Sequence, residues 1–176
     1  AFFSHDASAA DSGRATFDMI MCFSVDDMTT ENGYMLARWV TPHDSSVFLL
    51  IGKGGSFLQI YERGGSPAAS TLLANVSQTY TAGKKYFAQF RGVGTALYAR
   101  VWDSDLGHDY YTKDDDLTTW TATGTTTNTA AGKLGVGCYH STLTDKIFPV
   151  NFLSIGTGGD AAIPNRTNAE FTEFLR

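Results

Sequence analysis

The chain has 176 residues, enough for one domain that buries roughly 70% of its unfolded surface. A content of 43% hydrophobic and 13% aromatic residues excludes a disordered chain. Eighteen acidic against 13 basic residues leave a net charge of -5 with no basic run, which argues against nucleic acid as a partner. The longest wholly apolar run, Val47 to Ile51, is far below the ~20 residues of a membrane span, so no membrane partner is expected.

From the N-terminus, Ala1 to Asp6 lack the basic and long apolar regions of a signal peptide, which was either removed or never present. Residues 1–15 are expected to be an arm or a first strand. The first clear element follows, with Phe17, Met19, Met21, Phe23 and Val25 spaced by two and Asp18, Ser24 and Asp26 on the opposite face. That alternation predicts a half-buried strand. Similar strands are predicted over 34–41, 46–51, 56–62, 71–76, 85–91, 96–103, 118–123, 133–140 and 147–156.

Glycine-rich turns separate them, among them Gly52 to Gly55, Gly64 to Pro67, Gly92 to Gly94 and Gly156 to Gly159. No long helical pattern intervenes, so the connections are hairpins and arches and the sheets antiparallel. The expected fold is all-β, a single two-sheet sandwich over residues 1–176. At its end Asn168 caps a short helix over 168–175, with Phe171, Phe174 and Leu175 on one side. That stripe covers an open end of the sandwich or docks on a neighbouring subunit.

The stretches Phe87–Trp102 (FAQFRGVGTALYARVW), Trp120-Thr121, Ala131–Gly137 (AGKLGVG) and Asn151–Gly159 (NFLSIGTGG) together resemble the second half of a concanavalin A-like jelly-roll sandwich. The resemblance is to the laminin-G-like modules in particular, and it extends over about residues 14–160. It implies a role of the kind such modules play in secreted lectin-like proteins, in appendages of polysaccharide-active enzymes and in virion proteins of tailed bacteriophages. The compact Thr- and Gly-rich chain looks most like the last of these.

Glycoside hydrolases share this architecture and need two carboxylates facing each other across a cleft. The Glu-x-Asp-x-x-Glu strand of the laminarinase-like members is missing, and the four glutamates, Glu31, Glu62, Glu170 and Glu173, are scattered. The Gln-x-His and Arg-x-Glu strands of the related lyases are missing too, and there is no Gly-x-Ser-x-Gly elbow. A non-enzymatic protein is therefore expected.

A binding surface is the better candidate. On 96–103, Leu97, Ala99 and Val101 should point inward, leaving Tyr98, Arg100 and Trp102 outward. On 85–91, Tyr86, Ala88 and Phe90 should point inward and Phe87, Gln89 and Arg91 outward. Paired through the Gly92 to Thr95 turn, these six form one aromatic and guanidinium patch whose chemistry suits a glycan. The alternative is that a loop covers Phe87 and Trp102 as ordinary packing.

Asp103, Asp105 and Asp109 alternate around a glycine turn. A solvated acidic loop is the preferred reading, with calcium the alternative and the one cofactor considered. Cys22 and Cys138 form one bridge or remain two buried thiols. His5, His43, His108 and His140 have no metal-ligand spacing, and the sequons at Asn75 and Asn165 matter only in a eukaryotic secretory pathway.

The sequence thus points to a virion structural module of a bacteriophage, decorating the head or built into a tail or fibre. It would adhere to itself as a homo-oligomer, to other virion proteins and to a host-surface glycan, with the termini as attachment elements. The alternative is a secreted, extracellular carbohydrate-binding module.

Overall fold

A computed structural model describes residues 2–4, 15–24, 32–40, 45–52, 57–64, 69–103, 120–139 and 150–156. All its regular elements are strands, and every pairing is antiparallel. One sheet has six strands: β1 (Phe2–Ser4), β10 (Lys133–Tyr139), β3 (Asn32–Val40), β4 (Ser45–Gly52), β5 (Phe57–Gly64) and β6 (Ala69–Ser77), in that spatial order. The other has five: β11 (Val150–Gly156), β2 (Phe17–Ser24), β7 (Lys85–Val93), β8 (Ala96–Asp103) and β9 (Ala122–Thr125).

The period-two pattern decides which side chains meet between the sheets. Phe17, Met19, Met21 and Phe23 of β2, with Phe90 of β7 and Leu97 of β8, are fully buried against Met35, Val47, Leu49, Ile51, Leu58 and Ile60 of the six-stranded sheet. Edge-to-face rings close both ends of this layer, Phe17 on Phe90 at 5.0 Å and Phe23 on Tyr80 at 6.1 Å. The expected inward triads of β7 and β8, Tyr86/Ala88/Phe90 and Leu97/Ala99/Val101, all lie in this core.

Two expectations are corrected or extended. The strand predicted over 118–123 begins later, at Ala122: Ala122 takes the core position opposite Ala99, while Trp120 lies against Tyr98 with ring centroids 5.3 Å apart. Residues 2–4 form a strand on β10 within the chain's own sheet. The helix predicted over 168–175 lies outside the described residues.

An arginine fastens one end of the two sheets. The register of β3 shifts between Ala37 and Val40, and Arg38 there has a left-handed φ of 53°, a bulge that turns a residue of outer-face parity inward. Arg38 is fully buried. Its Nε donates to the carbonyl of Ala15 at 2.8 Å, and its two terminal nitrogens donate to those of Asn128 at 2.6 Å and Gly94 at 2.7 Å. The guanidinium also lies 5.5 Å from the Phe17 ring centre. Burial pulls its pKa below the usual arginine range, and the charge of Glu62 opposes that pull.

Glu62 ties down the same loop, accepting hydrogen bonds from the Thr126 hydroxyl at 2.8 Å and from the Thr127 amide at 3.0 Å. Burial works to raise its carboxyl, but bonds from Thr127, Thr126 and Asn128 outweigh it and hold the pKa below the ordinary range. β10 approaches closely here: a Cβ on Gly132 would sit 2.5 Å from the Arg38 carbonyl carbon, so only glycine fits.

Candidate functional site

The six predicted outer-face residues of β7 and β8 do come together. Phe87 pairs with Trp102, Gln89 with Arg100 and Arg91 with Tyr98 across one hairpin, whose turn carries Gly94 at a left-handed φ of 57°. They do not form an open platform. Phe87 and Gln89 are 0% exposed, Arg100 3% and Trp102 6%, leaving only Arg91 and Tyr98 partly exposed. The expected surface patch is therefore corrected to an interior one, in keeping with the covered alternative.

Its chemistry is that of a desolvated polar ladder. The Phe87 and Trp102 rings stack with centroids 5.5 Å apart, and both are buried, so neither offers a face to a ligand. Arg100 lies between two indoles, 5.3 Å from Trp102 and 5.1 Å from Trp120. Its Nε donates to Gln89 Oε1 at 2.7 Å, and Gln89 Nε2 donates to Asp18 Oδ1 at 2.9 Å. Burial pushes Asp18 up to about 6, against the lowering effects of the Gln89 hydrogen bond and the charges of Arg91 and Arg100.

The sequence reading missed Asp18 and Trp120 as members of this cluster. Asp18 carried a signal, because it falls on the polar side of the β2 alternation. Cys22 shares that face opposite Phe87 and is a free buried thiol, pushed up to about 11 by burial.

A second aromatic surface, half-buried as Tyr98 and Trp120 are, is on the other sheet. Along one row of the six-stranded sheet, Leu36 of β3, Phe48 of β4, Tyr61 of β5 and Leu72 of β6 are cross-strand partners. In the next row Tyr34, Leu50, Gln59 and Asn75 are partners in the same way. Their neighbours in sequence, Met35, Val47, Leu49 and Ile60, fill the core, so both rows lie on the outer face.

Tyr34, Phe48 and Tyr61 are half-buried, Asn75 is exposed and Leu72 is 46% exposed. The rings run in series, Tyr34 to Phe48 at 5.8 Å and Phe48 to Tyr61 at 5.1 Å with planes 10° apart. Beside them a polar chain crosses the strands: the Tyr61 hydroxyl donates to Gln59 Oε1 at 3.0 Å, and Gln59 Nε2 donates to Asn75 Oδ1 at 3.0 Å.

This face combines ring hydrocarbon with an amide network whose members orient one another. The sequence reading missed it because runs such as SVFLLI are apolar on both faces and give no parity signal. Gln59 and Tyr61 sharing parity in one strand was the available clue.

Of the acidic residues considered for calcium, Asp103 is the last residue of β8 and pairs with Tyr86, while Asp105 and Asp109 lie outside the described residues. Among the described residues no three His, Cys, Asp or Glu side chains group as a metal site.

Two solved structures share this architecture. The carbohydrate-binding module CBM66 of Bacillus subtilis matches with a TM-score of 0.57 and 11% identity, covering 79% of this chain and 73% of its own. Sheep galectin-11, solved in complex with glycerol, matches with a TM-score of 0.53 and 5% identity over 88% of this chain and 96% of its own. The fold is a concanavalin A-like β-sandwich. No family model and no curated protein sequence matches the chain.

Proposed function

We propose that the chain is a non-enzymatic adhesion module that binds glycan on the outer face of its six-stranded sheet. The observation that carries this reading is the Tyr34/Phe48/Tyr61 ring series lying beside the Tyr61–Gln59–Asn75 hydrogen-bond chain. Sugars present C–H faces and hydroxyls together, and a site that meets both needs apolar rings and fixed amide partners side by side. The fold likeness to a carbohydrate-binding module and a galectin supports the same reading.

The setting proposed is the virion of a tailed bacteriophage, with other virion proteins and a second copy as assembly partners and a host-surface glycan as target. The resemblance of the Phe87–Trp102 and Asn151–Gly159 stretches to such modules supports it; the alternative setting is extracellular, as a secreted carbohydrate-binding module.

The test is a glycan array followed by titration calorimetry on the best ligand, with and without calcium. Phe48→Ala should weaken binding about tenfold, equivalent to roughly 1.4 kcal/mol, in a chain that still folds. Arg100→Ala should act on stability, since Arg100 is buried. Binding unaffected by Phe48→Ala, or no glycan bound at all, overturns the site. Antibody labelling of intact phage particles tests the setting, and unlabelled particles remove it.

A further inference from the structure

The chain carries 18 acidic against 13 basic residues, yet acids are nearly absent from the six-stranded sheet. Among the residues of β1, β10, β3, β4, β5 and β6 the one carboxylate is Glu62. It is turned away from the outer face, because it accepts hydrogen bonds from Thr126 and Thr127 in the segment that follows β9. The cations of the same strands are Lys133, opposite Trp39, Arg38, which is fully buried, and Arg63.

Arg63 is exposed, and the alternation that turns Glu62 inward puts it on the outer face with Tyr61 and Gln59. Its cross-strand partners are Ser46 of β4 and Ser70 of β6. Arg63, Tyr61 and Gln59 therefore each mark one of three successive rows across the sheet, about 7 Å apart. The first row is cationic and flanked by hydroxyls, the second is aromatic, and the third carries amides bonded to each other.

We infer that the ligand class of this face is an acidic saccharide, whose sugar carboxylate is held by Arg63 while its ring lies over Tyr61 and its hydroxyl or acetamido groups meet the Gln59–Asn75 amides. The inference rests on the reading of this face as a glycan site and adds the chemistry of the sugar. A guanidinium binds a carboxylate through two parallel N–H donors, a match that a neutral hydroxyl cannot reproduce. With the sheet's one carboxylate turned inward, no like charge on these strands repels an anion approaching Arg63. The order along β5 of charge, ring hydrocarbon and amide is also the order of groups across a sugar acid, with its carboxylate, its C–H face and its hydroxyl or acetamido substituents.

Titration calorimetry on the whole chain with two matched pairs tests it: sialyllactose against lactose, and trigalacturonic acid against its methyl ester. In at least one pair the acid should bind about tenfold tighter than its neutral counterpart. That preference should shrink as sodium chloride rises from about 0.1 to about 1 M, over which the screening length falls from roughly 10 to 3 Å. Arg63→Gln should erase the preference, whereas Lys85→Gln, which removes the same charge from the five-stranded sheet, should leave it in place. Phe48→Ala should weaken the acid and its neutral counterpart together. Equal binding of acid and neutral glycan in both pairs, or a preference that survives Arg63→Gln, overturns the inference and leaves the glycan site standing. No binding of any glycan removes the site itself, and the inference with it.

Discussion

Replacing Arg38 with methionine removes a side chain that bonds to Ala15, Gly94 and Asn128 together. Methionine retains much of the buried volume, so the loss is mainly electrostatic. Three hydrogen bonds from a charged donor disappear, at 2.8, 2.6 and 2.7 Å, each worth roughly 1.5–3 kcal/mol when measured singly.

They are not additive. The cost of desolvating a guanidinium, which methionine avoids, offsets part of the sum. The Asn128 contact is fully buried while the other two are partly so, so water recovers some of what Ala15 and Gly94 lose. A net loss of about 3 kcal/mol remains, close to the cost of breaking a buried polar partnership. For a domain of this size that corresponds to a fall in Tm of roughly 6–12 °C.

Urea denaturation followed by tryptophan fluorescence measures it directly, with m unchanged if the unfolding remains two-state. Arg38→Lys should recover only a minor part, because a single ammonium cannot reach three divergent carbonyls in the fixed fork that arginine provides. A loss below about 1 kcal/mol for Arg38→Met, or full recovery by lysine, would show that the clamp does not hold this end of the sandwich together.

Asp18 sets a pH dependence. Its folded pKa of about 6 lies above the ordinary 3.8, so between those values the folded chain keeps a proton that the unfolded chain has released. Stability is therefore highest below about pH 4 for this group and falls by about 3 kcal/mol as pH rises through 6. Asp18→Asn, which keeps an acceptor for Gln89, should flatten the difference in urea midpoints between pH 4 and 7; an unchanged slope refutes it. Gly132→Ala forces a methyl to within 2.5 Å of the Arg38 backbone and should cost about 1–3 kcal/mol in denaturant unfolding. Tyr61→Phe releases Gln59 Oε1 from its hydrogen bond and should lower glycan affinity several-fold by calorimetry, with thermal stability nearly unchanged.

Strand positions were legible where a strand has a face in the core: Phe17, Met19 and Met21 read as a period of two and pack as one. The shared face of Phe87, Gln89, Arg91, Tyr98, Arg100 and Trp102 was legible for the same reason. Its burial was not, because whether a sheet face is covered depends on chain far away in sequence. Trp120 over Arg100 is an example.

Arg38 was illegible for a different reason. Parity places it outside with Tyr34 and Leu36, and only the bulge, with its left-handed φ, turns it inward. The Tyr34/Phe48/Tyr61 face was hidden because aromatic residues on both sides of a strand look alike until the partner sheet is known.

The pairing order carries a consequence for how the chain comes to be folded. β3, β4, β5 and β6 follow one another in sequence and in the sheet over residues 32–77, so their mutual pairing is local. β2 precedes them, yet pairs with β7 and with β11, whose residues 150–156 leave the ribosome long afterwards. Until residues 85–93 and 150–156 have been made, Phe17–Ser24 waits without either of its strand partners. Contacts of such long sequence separation place folding in the millisecond-to-second range. The waiting segment, FDMIMCFS, is also among the most apolar in the chain, so translation is the stage at which this protein depends most on being shielded from its neighbours.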